Sequence, residues 1–183
     1  MFMDIYKPNE DSFLIRYAII KYLRNKKKSL KILDMGSGSG ILIKACKKLG
    51  FYNIFASDIN KDSINKLKNQ GFNATKSDLF SNINQKFDLI IFNPPYLPLD
   101  KKEPKDSRLS TTGGKKGNEL ILRFLRDVKN HLTLEGTIIL LFSSLSHPED
   151  ILNLIKKLNF KKKLIIKKKL FFEEIYVYKL TLN

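Results

Sequence analysis

Apolar runs of strand length alternate along this chain with amphipathic stretches of helix length, and this alternation limits the fold more than any other feature. Leu30–Met35, Tyr52–Asp58, Phe72–Asp78, Phe87–Asn93 and Gly136–Ser144 read as strands, Phe72–Asp78 being the weakest. Between and after them, Ile41–Gly50, Asn60–Gly71, Asn118–Leu132 and Pro148–Asn159 carry helical spacing. Gly50 and Gly71 stand where helices stop, and Pro148 with the two acids after it suits a helix start. The pattern predicts an α/β fold, a mostly parallel sheet with helices on both faces. Phe160–Leu182 reads as two adjacent strands, which predicts an antiparallel hairpin at one edge.

With 183 residues, 43% of them hydrophobic, the chain has enough apolar surface for one core. Residues 1–183 are therefore read as a single domain, residues 1–29 forming an N-terminal cap with one helix over Glu10–Arg24, and residues 30–183 the core. The longest apolar run, Thr137–Phe142, is too short to span a bilayer. The opening MFMDIYKPNED carries acids where a secretory signal needs a basic start and an apolar run. The expected location is the cytoplasm, without membrane contact. The single cysteine, Cys46, excludes an internal disulfide and reads as a small buried hydrophobe. His131 and His147 lack ligand-like neighbours, so no metal is predicted. The net charge of +16 leaves two readings open: a solvated, lysine-biased surface, or a footprint for nucleic acid or a ribonucleoprotein.

The first chemical signal is LDMGSGSG, Leu33–Gly40, at the end of one predicted strand and the start of a helix. In an open α/β sheet that position binds nucleotide-like ligands. Gly36 and Gly38 allow a tight turn and close approach, and Gly40 would allow close packing of helix and strand. The spacing is not that of dinucleotide binders. Asp34, two residues before Gly36, would repel a pyrophosphate but welcome an ammonium, which favours a ligand with an amino-acid end. Asp58, twenty residues after Gly38, can accept from two ribose hydroxyls. Asp78 can accept from an adenine amino group, with Leu79 against the ring. Any one of these aspartates alone is better explained as a cap on the next element. In order, with the glycine loop, they describe a pocket for S-adenosylmethionine.

The second signal is Asn93-Pro94-Pro95-Tyr96, directly after a predicted strand. Asn93 offers a side-chain oxygen, the prolines hold the Pro94 carbonyl as a second acceptor, and Tyr96 offers a flat face. Two acceptors and a plate suit a planar –NH2 group. They would localise its lone pair and stabilise the charge that grows on nitrogen during methyl transfer. A plain turn is the other reading of an Asn-Pro pair.

LDMGSGSG, SDIN, SDLF and NPPYLP together resemble the HemK-type glutamine methyltransferases of the seven-stranded Rossmann-like class. YKPNEDSFLIRYAI, from Tyr6, is similar to the Tyr-x-Pro-x-Glu-Asp-Ser/Thr-Phe-Leu signature of their archaeal and eukaryotic release-factor branch, and Phe171–Leu180 is similar to that family's end. The resemblance implies a mostly parallel seven-stranded sheet with an antiparallel C-terminal strand. It implies methylation of the glutamine amide in the Gly-Gly-Gln loop of a class 1 release factor. Ser12, Asp34, Gly36, Asp58, Asp78 and Leu79 would line the cofactor site. Asn93 would hold the target amide beside the cofactor, with Pro94, Pro95 and Tyr96 around it. Bacterial relatives have a separate N-terminal helical domain, from which the short cap departs. Eukaryotic and many archaeal relatives pair along a sheet edge with a small zinc-binding activator protein, and Phe72–Asp78 is the expected edge here.

Leu99–Glu119 is long, polar and glycine-containing, and reads as a mobile loop over the site. Two rival functions remain. An amino-methyltransferase acting on adenine or guanine would use the same acceptors on a flipped base, and the charge favours it. A binding subunit without chemistry would keep the fold, but the intact Asn93 and glycine loop argue against that.

Overall fold

The computed structural model describes residues 8–183, apart from the side chains of residues 105 and 106; Tyr6 and Lys7 of the N-terminal signature lie outside it. Helix α1 (Glu10–Leu23) precedes β1 (Ile32–Met35), α2 (Ile41–Lys48), β2 (Ile54–Asp58), α3 (Lys61–Asn69), β3 (Asn73–Lys76) and β4 (Phe87–Phe92). Then come β5 (Leu97–Pro98), α4 (Lys105–Thr111), β6 (Thr112–Gly114), α5 (Glu119–Asp127), β7 (Leu132–Ser143), α6 (Pro148–Lys157), β8 (Phe160–Lys169) and β9 (Glu174–Leu182). Seven strands form one sheet in the order β3-β2-β1-β4-β7-β9-β8. β9 runs antiparallel to both its neighbours, while the other pairs are parallel, so the expected Rossmann-like sheet with one antiparallel C-terminal strand is present.

Period-two burial builds the layers. Leu89 and Ile91 of β4, with Ile139 and Leu141 of β7, face a core shared with α1, α2 and α3. Ile90, Phe92, Ile138, Leu140 and Phe142 face the opposite core with α5 and α6. Both sheet faces are therefore dry, which explains why the central strands read as continuous apolar runs. The N-terminal helix is fastened to this body by buried Ile15, Ala18, Ile19 and Leu23, and the Tyr22 hydroxyl donates to Thr137 Oγ1 at 3.0 Å. At the far edge, β8 exposes lysines in the manner that discourages edge-to-edge pairing. Among the described residues no helix is long and apolar enough to cross a membrane.

Two expectations need correction. The helix predicted over Asn118–Leu132 stops at Asp127; Val128–His131 form a 3-10 turn, and β7 already begins at Leu132 instead of Gly136. Ile121, Phe124, Leu125, Val128 and Leu132 all enter the same core, so the helical apolar spacing continues past the helix end and hides it. The segment Leu99–Glu119 lies over the site as expected, but it carries secondary structure of its own. It contains α4, and β6 pairs with β5 to bring the chain back over the Asn-Pro-Pro-Tyr turn. Hydroxyls of Thr111, Thr112 and Ser107 converge on Glu103 and hold its pKa below the usual glutamate value.

Phe124 is fully buried between Phe92 and Phe80, with ring centroids at 4.5 and 5.5 Å. Phe124→Ala is expected to cost about 3–5 kcal/mol in urea unfolding. A loss below 1 kcal/mol would contradict this view of the α5 core.

Candidate active site

The parallel register places the motif-bearing strand ends side by side. Met35 of β1 stands opposite Ser57 of β2 and Phe92 of β4, so Gly36, Asp58 and Asn93 emerge together. This is the carboxyl edge of the sheet, at the switch between β1 and β4, where open α/β sheets bind ligands. The glycine loop is stitched to the end of β2. Ser37 N–H donates to the Ser57 carbonyl at 2.9 Å, and Gly38 N–H donates to Asp58 Oδ2 at 2.7 Å. Gly36 and Gly38 have φ of 67° and 48°, a conformation that residues with a Cβ rarely adopt. Gly40 packs closely as expected, but against Leu67 of α3: a Cβ there would sit 2.5 Å from that side chain.

A cavity of about 910 Å³ opens at this edge. Ser12, Gly36, Gly38, Asp58, Asp78, Leu79, Asn93, Pro94, Pro95 and Tyr96 all line it. Asp34 does not. It is fully enclosed in β1, one residue before Met35, and neither carboxylate oxygen has a hydrogen-bond partner. Burial, with the charge of Asp58 adding to it, pushes the Asp34 pKa well above the usual aspartate value. The Ser37 hydroxyl and the Ile43 amide, outside hydrogen-bonding geometry to the carboxylate, offset only part of that rise. Buried Cys46 is pushed up to about 12 by the same loss of solvation and then by Asp34.

Asp58 is held by two backbone amides, from Gly38 and, at 2.8 Å, from Asn60; burial still raises its pKa. Each of its oxygens keeps a further lone pair for a ligand. Asp78, expected to accept from an adenine, lines the cavity and forms an exposed ion pair with Arg123 at 2.9 Å. Such pairs contribute only about 0.2–1 kcal/mol, so this one can yield. Leu79, buried beside it, adopts a φ of 49°, unusual for leucine.

The amide of Asn93 is the most telling group. Its Nδ2 donates to Asp11 Oδ2 at 2.8 Å, whereas its Oδ1 is buried with no partner. Pro95 and Tyr96 are crossed closely by the returning β6 ribbon. A Cβ on Gly113 would lie 2.6 Å from the Pro95 carbonyl oxygen, and one on Gly117 would lie 2.4 Å from that of Tyr96.

A family model described as the methyltransferase small domain matches residues 17–170. A Methanocaldococcus jannaschii protein provisionally named protein N5-glutamine methyltransferase is 37% identical over 182 residues, 95% of this chain and 90% of that one. The chain belongs to the HemK-like glutamine methyltransferase family. Human methyltransferase HEMK2, 28% identical over 169 residues, covers 85% of this chain and is itself covered to 79%. A chain of the E. cuniculi Mtq2–Trm112 complex, described as responsible for methylation of the eRF1 translation termination factor, matches with a TM-score of 0.78. It is 26% identical, and the match covers 99% of this chain and 100% of that one.

Within this HemK-like site, sequence reading overlooked Asp11 and the glycines of the returning ribbon. Asp11 stood inside the quoted N-terminal signature, but nothing local showed that it would meet Asn93 across 82 positions. Gly113 and Gly117 looked like loop residues, because the backbone they cross is distant in sequence only by a fold-dependent return.

The raised pKa of Asp34 has a sign. The folded state binds that proton more tightly than the unfolded state, so the contribution of Asp34 to stability is greatest below the ordinary aspartate pKa and is lost as pH rises through the raised value. Asp34→Asn is expected to flatten that fall and to unfold at higher urea than wild type at pH 8 in the absence of ligand. Urea titrations at about pH 5 and pH 8 check this. An identical pH slope in both proteins would contradict it.

Proposed function

We propose that this chain uses S-adenosylmethionine to methylate a glutamine side-chain amide, and that the glutamine lies in the Gly-Gly-Gln loop of a class 1 release factor. The observation that carries the proposal is the unpartnered, buried Oδ1 of Asn93 in the wall of the cavity. A buried acceptor left open costs free energy unless something completes it, and a primary amide N–H completes it. The substrate class follows two of the relatives: the one provisionally named a protein N5-glutamine methyltransferase, and the Mtq2–Trm112 complex described as responsible for methylation of the eRF1 termination factor. The alternative, an exocyclic amine of a base, has no such support among them.

The residues present fit the cofactor. Asp34, enclosed in β1 two residues before Gly36 and outside the cavity wall, is a buried carboxyl group without partners, the kind of group that a cation bound nearby stabilises without touching it. In this reading Ser12 and the Gly36–Gly38 backbone hold the amino-acid end, Asp58 accepts from the ribose hydroxyls, and Leu79 with Asp78 holds the adenine. Bound there, S-adenosylmethionine supplies a methyl group on a sulfonium, whose bonding electrons stay with sulfur on transfer.

The protein's own task is to make an amide nitrogen attack. That lone pair is delocalised into the carbonyl. Asn93 Oδ1 accepts one N–H of the target, favours a pyramidal nitrogen and stabilises the positive charge that grows there. Pro94, Pro95 and Tyr96 confine the amide plane, and the β6 ribbon braces their backbone. The surplus proton is acidic once the nitrogen carries the methyl group and leaves to solvent.

We further propose an activator protein at β3, which is one of the two edge strands of the sheet, only four residues long and without the lysine row that β8 exposes at the other edge. The Mtq2–Trm112 complex supports such a partner; zinc binding by it is the family expectation. A chain that is fully active alone would contradict this. The leading test is mass spectrometry after incubation with S-adenosylmethionine and an archaeal-type release factor. A gain of one methyl on the Gly-Gly-Gln glutamine, lost in Asn93→Ala, is expected. Transfer to RNA or DNA instead would overturn the substrate class.

A further inference from the structure

For Asn93 to act as an acceptor, its amide must present oxygen to the target and turn nitrogen away. An asparagine has no strong preference of its own, since its two ends are nearly equal in size and differ only in what they bond. Here the preference comes from Asp11. This residue lies in the first turn of α1, is 5% exposed, and lines the same cavity. It accepts from Asn93 Nδ2 at 2.8 Å, and its Oδ1 faces the Ser12 hydroxyl at 3.4 Å. An ionised carboxylate can only accept. The nitrogen of Asn93 must therefore face Asp11, and Oδ1 must face elsewhere, where it is found buried and unpartnered.

We infer that Asp11 is a positioning residue for methyl transfer: it fixes the orientation of the Asn93 amide and polarises it, making Oδ1 a stronger acceptor. The inference rests on reading Asn93 as the acceptor for the target amide. Hydrogen bonds in series strengthen one another. A negative charge at the nitrogen end of the Asn93 amide draws its N–H outward and leaves more electron density on Oδ1. That gain matters most when the target nitrogen becomes positive, so it falls on kcat more than on binding. Without Asp11 the amide is free to flip, and the flipped form points a donor at the hydrogens of the target. The position of α1 makes the bond possible, because its buried face and the Tyr22–Thr137 hydrogen bond fix the helix against the sheet.

A purely structural role is the competing explanation, since an acid in a first turn also favours the helix. Kinetics on the full chain, with its activator if one is required, S-adenosylmethionine and a Gly-Gly-Gln release factor, separates the two. Asp11→Ala is expected to lower kcat about 10- to 100-fold, with KM for S-adenosylmethionine changed less than about twofold and Tm close to wild type. Asp11→Asn keeps an acceptor but loses the charge, and should fall between; it also serves if the alanine variant folds poorly. In nitrogen-15 NMR the Asn93 side-chain NH2 resonance should move in Asp11→Ala. Wild-type kcat in both Asp11 variants beside an inactive Asn93→Ala would overturn this inference and leave the acceptor reading intact. Full activity in Asn93→Ala would overturn both.

Discussion

Parallel pairing with its particular register is the constraint on which everything else rests. Because Met35, Ser57 and Phe92 are aligned, the residues that follow each strand reach one edge of the sheet together. Three segments far apart in sequence thereby become one wall. Parallel strands need crossovers, the crossovers are helices, and the helices dry both faces of the sheet. The apolar cores are thus a condition for the register that gathers the polar groups.

What gathers there is unusual in its electrostatics. The core of β1 holds a carboxylate with no partner, and the amide after β4 holds an oxygen with no partner. Folded proteins rarely leave such atoms unsatisfied, because each carries a desolvation cost. Both lie on or beside the same cavity; under the proposed function, the groups that lower the stability of the free protein are those that a cationic cofactor and an amide substrate would complete. The Asp11–Asn93 bond belongs to the same logic. It satisfies one end of the amide so that the other end must remain open.

The sequence was informative about what is local and silent about what is folded together. The strand ends that carry Asp34 and Asp58 and the one that Asn93 follows were readable as apolar runs that break at polar residues. The turn glycines were readable because Gly36 and Gly38 need positive φ. The end of α5 was not readable, because Val128 and Leu132 continue its apolar period into a 3-10 turn and a strand. The Asp78–Arg123 pair and the Asp11–Asn93 bond were not readable either, since each joins segments that only the tertiary fold brings near. Leu99–Glu119 read as a mobile loop because its order comes from Glu103 collecting hydroxyls and from β6 meeting β5, neither of which leaves an apolar pattern.

The central claim is that Asn93 offers its oxygen to a glutamine amide. The most direct test is a crystal structure of the chain with S-adenosylhomocysteine and a Gly-Gly-Gln peptide. Expected is the glutamine Nε2 within ordinary hydrogen-bond distance, about 2.7–3.2 Å, of Asn93 Oδ1, with Asn93 Nδ2 still on Asp11. A peptide bound with its glutamine outside the cavity, or an Asn93 amide turned away from Asp11, would contradict it.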